Sequence, residues 1–303
     1  MKRILITGGS GLVGTKLSKL LLAQGHEVAH LTREKSYHHN PDIKVFRWNI
    51  FKQTIDPEAI QFADVIIHLA GESVAKGHWS AKRKKEIIAS RVLSTKLLVN
   101  TLTSFKHHVE SFISASAIGI YGINTGYETM HEQSPVGDGF LAEVAQQWEE
   151  EVNKIALLGI RTCIFRIGIV LAKEGGALPQ LIKPIKYWIG SPLGTGDQMM
   201  SWIHIDDLCS IFNFAIDNTE MHGVYNATAP RPVANTEMMQ TIARKLRKPL
   251  FLPKVPAFIL QWLMGEMSEI VLGGNKVSAR KISNAGFKFK FPDLSLALKN
   301  LLK

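Results

Sequence analysis

The sequence predicts an α/β fold: a doubly wound parallel sheet with a smaller, mainly helical domain towards the C-terminus. Three observations predict it. Short apolar runs alternate with helical periodicities over roughly the first 170 residues, the pattern of parallel strands joined by crossover helices. A glycine-rich turn joins the first apolar run to the first helix. Beyond that region the alternation breaks up, and helices with little charge take over.

The first strand is the apolar run 4–6, and Thr7-Gly8-Gly9-Ser10-Gly11-Leu12-Val13-Gly14 follows at once. Leu12, Leu17, Leu20 and Leu21 give the next helix its apolar face, and Gly25 marks its end. Glycines at this turn let the backbone bend sharply and let a pyrophosphate approach. The N–H groups and positive dipole end of the helix then face that anion. Gly9, Gly11 and Gly14 fit G-x-G-x-x-G, while Gly8, Gly11 and Gly14 fit T-G-x-x-G-x-x-G. With a strand before, a helix after and a second strand at 27–31, the turn reads as a Rossmann dinucleotide site.

Thr32 and Arg33 close the second strand. An acid there would bind the ribose 2′-OH of NAD; a guanidinium suits the 2′-phosphate of NADP by charge and fork geometry. Glu34 comes too late to serve as that acid, so NADP(H) is expected over NAD(H). A third strand over 44–48 ends at Trp48-Asn49, where the adenine is expected. The fourth strand, 64–69, leads into Ala70-Gly71-Glu72, small residues that let the backbone lie against a cofactor.

A helix over 90–102 carries Leu93, Leu97, Leu98 and Leu102, and the fifth strand, 111–117, leads into Ile118-Gly119-Ile120-Tyr121-Gly122. Residues 121–140, with Glu132, Ser134, Pro135 and Gly137-Asp138-Gly139, read as a long polar substrate-side loop. A helix over 140–158 and a sixth strand over 161–167 complete the pattern, so that ligands bind beyond the carboxyl ends of the strands. Residues 1–170 are thus a dinucleotide-binding domain. Ser201 to Leu208 reads as a strand leading into a helix capped by Asp206 or Asp207, and 223–227 as a strand; both are expected to return to the first domain within 200–228. Residues 171–199 and 229–303 form the substrate-side domain. Its helices are expected over 236–246, 256–272 with a bend at Gly265, 278–285 and from Leu294. Phe287, Phe289 and Phe291 alternate with lysines like an edge strand.

Composition narrows the function classes. The 303 residues are 46% hydrophobic and 20% charged, values of a soluble globular chain. The net charge is +10, and Lys82-Arg83-Lys84-Lys85 opens a helix as a solvated face, so no nucleic-acid partner is expected. An anionic cofactor benefits from the same field. Cys163 and Cys209 lie in apolar segments and read as reduced thiols of a cytoplasmic protein. His38-His39 and His107-His108 are adjacent pairs in polar connections, and no metal is assigned. No apolar segment reaches the ~20 residues of a membrane span, no room precedes the first strand for a signal peptide, and no membrane partner is expected. A monomer or homodimer is expected: the apolar faces of the helices over 90–102 and 140–158 either pack on the core or pair across a dimer.

The combination of Thr7-Gly8-x-x-Gly11-x-x-Gly14, His68-Leu69-Ala70-Gly71-Glu72, Ser116 to Gly122 and Ser201 to Asp207 resembles an extended short-chain dehydrogenase/reductase. More closely, the chain is similar to the atypical members named epimerase family proteins. Ser90-Arg91-Val92, Gly139-Phe140-Leu141-Ala142-Glu143-Val144, Trp202-Ile203-His204-Ile205-Asp206-Asp207, Gly265-Glu266-Met267 and Ala285-Gly286-Phe287 carry that resemblance over essentially the whole chain. It implies a C-terminal domain of uncharacterised role, NADP(H) as cofactor and a small-molecule substrate. The implied cofactor set is Thr7, Gly8, Ser10, Gly11, Leu12, Val13, Gly14, Thr32, Arg33, Trp48, Asn49, Leu69, Ala70, Gly71, Glu72, Arg91, Ser114 and Arg166.

One departure stands out. In typical relatives a serine holds the substrate oxygen, a tyrosine exchanges the proton, and a lysine four residues later, on the same helix face, lowers the tyrosine's pKa. Ser116 matches the serine as a substrate-orienting residue, but Phe140 and Val144 stand at the tyrosine and lysine. Candidates to replace the pair are Tyr121, Glu72, Glu143, Arg91 and His204. Against them, Tyr121 fits a structural role, Glu72 a helix cap and His204 a packed histidine. Two functions follow: an oxidoreductase or epimerase acting on a small polar carbonyl or sugar-like substrate, or a non-catalytic NADP(H)-binding regulatory protein, a role that fits family names linked to cell division.

Overall fold

A computed structural model of the chain describes residues 1–33 and 40–303; Glu34 and the His38-His39 pair lie outside the described residues. Strand β1 (Arg3–Thr7), helix α1 (Leu12–Ala23), β2 (Glu27–Thr32), β3 (Ile43–Asn49) and the short β4 (Thr54–Ile55) come first. They are followed by α2 (Pro57–Phe62), β5 (Val65–His68), α3 (Ala81–Ser104) and β6 (Ser111–Ala117). Ile4, Leu5 and Ile6 expose no surface, as strands covered on both faces require. Burying each such side chain contributes about 1.5–3 kcal/mol. Helix α2 starts at Asp56, whose carboxylate accepts the Glu58 N–H, and Pro57 occupies its first turn. Helix α3 starts at Ser80, whose hydroxyl accepts the Arg83 N–H, so the helix takes in the basic run 82–85.

The chain continues through a 3-10 turn (Ile118–Tyr121), β7 (Asn124–Met130), α4 (Phe140–Ala156), β8 (Arg161–Ile167) and β9 (Ile169–Leu171). Then come α5 (Leu178–Lys186), β10 (Met199–Met200), β11 (Trp202–His204), α6 (Ile205–Asp217) and β12 (Gly223–Ala227). The last part holds β13 (Val233–Ala234), α7 (Asn235–Leu246), α8 (Ala257–Met264), α9 (Glu269–Leu272), β14 (Gly274–Val277), α10 (Arg280–Asn284) and α11 (Leu294–Leu301).

The main sheet has the order β12-β8-β6-β5-β1-β2-β3-β4 and is parallel except for the β3–β4 pair. From β1 the chain winds outward through β2 and β3, then returns to β5 and winds the other way. The direction therefore switches between β1 and β5, where a crevice opens at the carboxyl ends. A second, four-stranded sheet, β13-β10-β14-β7, joins the C-terminal part to the segment after β6. β11 and β9 form a separate two-stranded sheet.

Three expectations are corrected. The polar stretch 121–140 is not all loop, because β7 pairs with β14, a partner far along the chain. Residues 287–291 form no strand: Phe287 packs edge-on to Phe289 at 4.9 Å, and the N–H groups of Lys290 and Phe291 go to the Asp207 carboxylate at 2.8 and 2.9 Å. Asp207 is thus engaged elsewhere, and His204 caps α6 by accepting the Asp206 N–H at Nδ1 (3.0 Å).

Candidate functional site

A groove of about 330 Å³ lies at the switch point. The turn after β1 contributes Gly8, Ser10 and Gly11, and the end of β2 contributes Leu31, Thr32 and Arg33. Trp48 stands at the end of β3 and Ile50 just after it, Leu69 to Glu72 follow β5, and Ser90 and Ser94 come from α3. The backbone demands glycine here. Gly8 has φ +70°, and a Cβ on it would sit 2.8 Å from the Leu69 backbone; one on Gly14 would sit 2.4 Å from the Gly8 carbonyl oxygen. Helix α1 begins at Gly11 with no side-chain cap and no acid in its first turn. The N–H groups of that turn are left for an anion at the groove. A glycine-walled crevice beside an uncapped helix end fits a dinucleotide pyrophosphate.

The far wall is fixed from below. Thr7 Oγ1 accepts the N–H groups of Leu69 and Ala70, both at 3.1 Å, which leaves its own proton for His68 Nδ1 at 2.7 Å. His68 Nε2 then meets Thr95 at 3.0 Å. Burial, with Arg91 adding to it, pushes the His68 pKa down to about 3, so the ring is neutral at physiological pH. Thr7 is therefore buried scaffold beneath the groove and does not line it.

At the groove mouth Arg33 Nη2 donates to Glu72 Oε1 at 3.2 Å, and Arg83 lies 3.5 Å from the other carboxylate oxygen. The Glu72 N–H goes to Ser90 Oγ at 2.9 Å, so Glu72 is held by α3 rather than capping it. Arg91 lies beneath Gly71, donates to the Ile87 carbonyl at 3.1 Å and stands over the Trp148 ring at 5.3 Å. Burial lowers its pKa to about 10.

Several expected contacts are not made. Asn49 turns its Oδ1 to the N–H groups of Phe51 and Lys52, closing its own turn. Leu12 and Val13 pack their side chains on the core, leaving only backbone N–H groups to offer. Ser114 points into the core, its hydroxyl on the Ala115 carbonyl. Ser90, Ser94 and Ile50 were not anticipated, although two serines four apart on one face of α3 were visible.

Of the expected catalytic residues only Glu72 lies at this groove; Ser116 and Tyr121 lie in a buried network with Arg166. Ser116 is 3% exposed and donates to Glu149 Oε1 at 2.6 Å. The same carboxylate takes Arg166 Nε at 2.9 Å and Nη2 at 2.8 Å. Burial pulls the Arg166 pKa down, but Glu149 outweighs it and holds the guanidinium above its ordinary value. Arg166 Nη1 donates to Tyr121 Oη at 3.0 Å, and that hydroxyl donates to Asn226 Oδ1 at 2.7 Å. Glu132 closes the network, accepting the Asn226 N–H at 2.9 Å. Alternation along β6 is the cause: Ser116 faces α4, and Ala117 is the residue that faces out. Ser116, Tyr121 and Arg166 are thus buried supports, which corrects the substrate-orienting, proton-transfer and cofactor roles expected of them.

Phe140 and Val144 stand in an apolar cluster with Trp79 and Ile87, and the Phe140 and Trp79 rings meet edge-on at 5.0 Å. His204, 1% exposed, stacks on Phe291 at 3.8 Å, its pKa lowered by burial. Glu143 is exposed and accepts Gln147 Nε2. None of these makes an acid–base pair at the groove.

A second, smaller groove of about 150 Å³ opens after β6. Ile118, Gly119 and Leu141 form one wall; Ile270, Gly274 and Asn275 form the other, with Asp138 and Glu269 carrying carboxylates. Burial raises the Glu269 pKa, and Glu266 adds to it against the opposing Lys84. Glu269 was not foreseen, because it approaches the site only through the fold-back of the C-terminal segment. Among the described residues no group of His, Cys, Asp and Glu is placed to hold a metal.

Comparison with known proteins agrees with this geometry. The model of the NAD dependent epimerase/dehydratase family matches residues 4–228, and that of a domain of unknown function, DUF1731, matches 255–301. Epimerase family protein YfhF of Bacillus subtilis is 35% identical over 99% of this chain and 97% of its own. Among solved structures, human epimerase family protein SDR39U1 (isoform 2) with NADPH has TM-score 0.85 and 29% identity, covering 99% of this chain and 98% of that one. A nucleoside-diphosphate sugar epimerase from Corynebacterium glutamicum has TM-score 0.80 and 32% identity, covering 99% of this chain and 58% of that one. The chain belongs to the NAD-dependent epimerase/dehydratase family and carries a DUF1731 domain at its C-terminal end.

Proposed function

We propose that the protein is an NADP(H)-dependent oxidoreductase or epimerase acting on a small polar carbonyl or sugar-like substrate, with Glu269 in place of the missing tyrosine. One observation carries the proposal. Two grooves open beyond β5 and β6, neighbouring strands of the sheet, one shaped for a dinucleotide and the other holding a carboxylate of raised pKa. Bound in the first groove, NADP(H) would supply or take the hydride. Glu269 gives its proton to the substrate oxygen on reduction and takes it back on oxidation. Asp138 and Asn275 orient the substrate. Arg33 holds the 2′-phosphate, and NADPH in the human relative's structure supports that choice of cofactor.

The apolar filling around Phe140 and Val144 favours a second reading, an NADP(H)-binding protein without turnover. One experiment separates them. The protein with NADPH is offered carbonyl compounds and nucleotide sugars, and nicotinamide absorbance and product formation are followed. Turnover that disappears in Glu269→Gln, with NADPH affinity unchanged, supports the enzyme. Turnover that survives Glu269→Gln removes that residue from the mechanism, and tight NADPH binding without conversion of any substrate supports the second reading.

A further inference from the structure

The C-terminal part carries an apolar surface that neither groove uses. Three stretches form it. Tyr187, Trp188 and Ile189 follow α5 with their side chains exposed. Phe251 and Leu252 lie beside them: Ser191 Oγ donates to the Leu252 carbonyl at 3.4 Å, and Val255 N–H to the Pro192 carbonyl at 2.9 Å. Helix α8 follows almost at once and leaves Phe258 69%, Trp262 83% and Leu263 55% exposed. Its sequence, Ala-Phe-Ile-Leu-Gln-Trp-Leu-Met, buries only Leu260. So many large apolar side chains on adjoining segments mark a contact surface.

Charge says what the contact is. Residues 175–196 contain Lys183 and Lys186 and no acid; residues 238–265 contain Arg244, Lys245, Arg247, Lys248 and Lys254 and no acid. Lys248 Nζ stands 4.0 Å over the Trp188 ring, which puts a cation within the aromatic surface itself. Beside Tyr187 an open groove of about 510 Å³ is lined by Lys173, Lys183, Lys186 and Lys303. A second copy of the chain docking here by two-fold symmetry would set cation against cation. An anionic surface pairs with the lysines and takes up the aromatic rings. Tryptophan and tyrosine amid lysines are the side chains that suit the headgroup level of a bilayer.

We propose that this face docks on an anionic phospholipid surface, with α8 and the 187–189 turn resting among the headgroups. No described helix is long and apolar enough to cross a membrane, so the contact is one of surface. Helix α8 leads through Gly265–Ser268 into Glu269, and the second groove therefore lies just beyond the docked segment.

Co-sedimentation of the full chain tests this. One set of vesicles is pure phosphatidylcholine; the other holds an equal share of phosphatidylglycerol. The expected result is at least ~10-fold more protein on the anionic vesicles, lost at high salt. Phe258→Ser with Trp262→Ser, and separately Lys248→Glu with Lys254→Glu, are expected to abolish binding while NADPH affinity, read as a check on folding, stays within about twofold. Equal binding to both vesicle types, no binding to either, or binding that survives both double variants would overturn the proposal. So would a stable dimer that Trp262→Ser dissociates.

Discussion

Arg33 and Glu72 face each other across the mouth of the dinucleotide groove, Nη2 to Oε1 3.2 Å apart. The pair joins the end of β2 to the loop after β5, on either side of the switch point. The 2′-phosphate of NADP(H), proposed to bind at Arg33, would compete with Glu72 and be repelled by it. The pair is substantially exposed, and such pairs contribute about 0.2–1 kcal/mol. Glu72→Gln is therefore expected to tighten NADPH binding about two- to fivefold. A weaker affinity in the variant would mean that Glu72 serves the cofactor directly.

Ser116 tests whether the buried network is scaffold or active site. Its hydroxyl meets a carboxylate that keeps two bonds from Arg166. Ser116→Ala is expected to cost about 1–3 kcal/mol in urea unfolding and to leave NADPH affinity and any turnover within about twofold. Glu149→Ala strands the Arg166 guanidinium and is expected to cost about 3–5 kcal/mol. A Ser116→Ala protein of full stability but without turnover would restore the serine to the catalytic centre.

The apolar packing at Val144 makes the reverse experiment informative. Val144 is buried against Trp79 and Ile87, so Val144→Lys places an ammonium where no carboxylate waits. The variant is expected to lose about 2–4 kcal/mol of stability, and Phe140→Tyr with Val144→Lys is expected to create no activity. Gain of turnover in that double variant would show that the site still accepts the ordinary acid–base pair.

His68 predicts a pH dependence of stability. Its folded pKa is about 3 against 6.5 for the free group, chiefly through burial. Between those values the unfolded ring binds a proton that the folded ring does not. Stability is therefore full above about pH 6.5 and falls as pH drops through the window, by at most about 1.4 kcal/mol per unit from this group. His26 and His204, also lowered by burial, act in the same direction. The difference between wild type and His68→Gln isolates the effect: the variant's urea midpoint is expected to change less between pH 7 and pH 5. Parallel pH curves for the two proteins would remove His68 from this account.

The fold was legible wherever local pattern and burial agree. The run 4–6, the glycine turn and the sequence of strand ends all depend on neighbouring residues, and the structure places them at one crevice. What failed depends on partners distant in sequence. β7 is polar because most of its side chains face outward, and its pairing with β14 leaves no local trace. The Phe287-Phe289-Phe291 alternation is real, but Asp207 claims the backbone there. Ser116 shows the finest limit. Strand period two puts Ser116 and Ala117 on opposite faces, and only the packed sheet decides which face meets α4.

The most direct test of the account is a fluorescence titration of the purified protein with NADPH and with NADH, repeated on Arg33→Ala. The groove and the Arg33 guanidinium predict at least ~10-fold tighter binding of NADPH, the worth of one charge-assisted phosphate contact. In Arg33→Ala that preference is expected to vanish while NADH affinity barely moves. Equal affinities in the wild-type protein, or a preference that survives loss of Arg33, would contradict it.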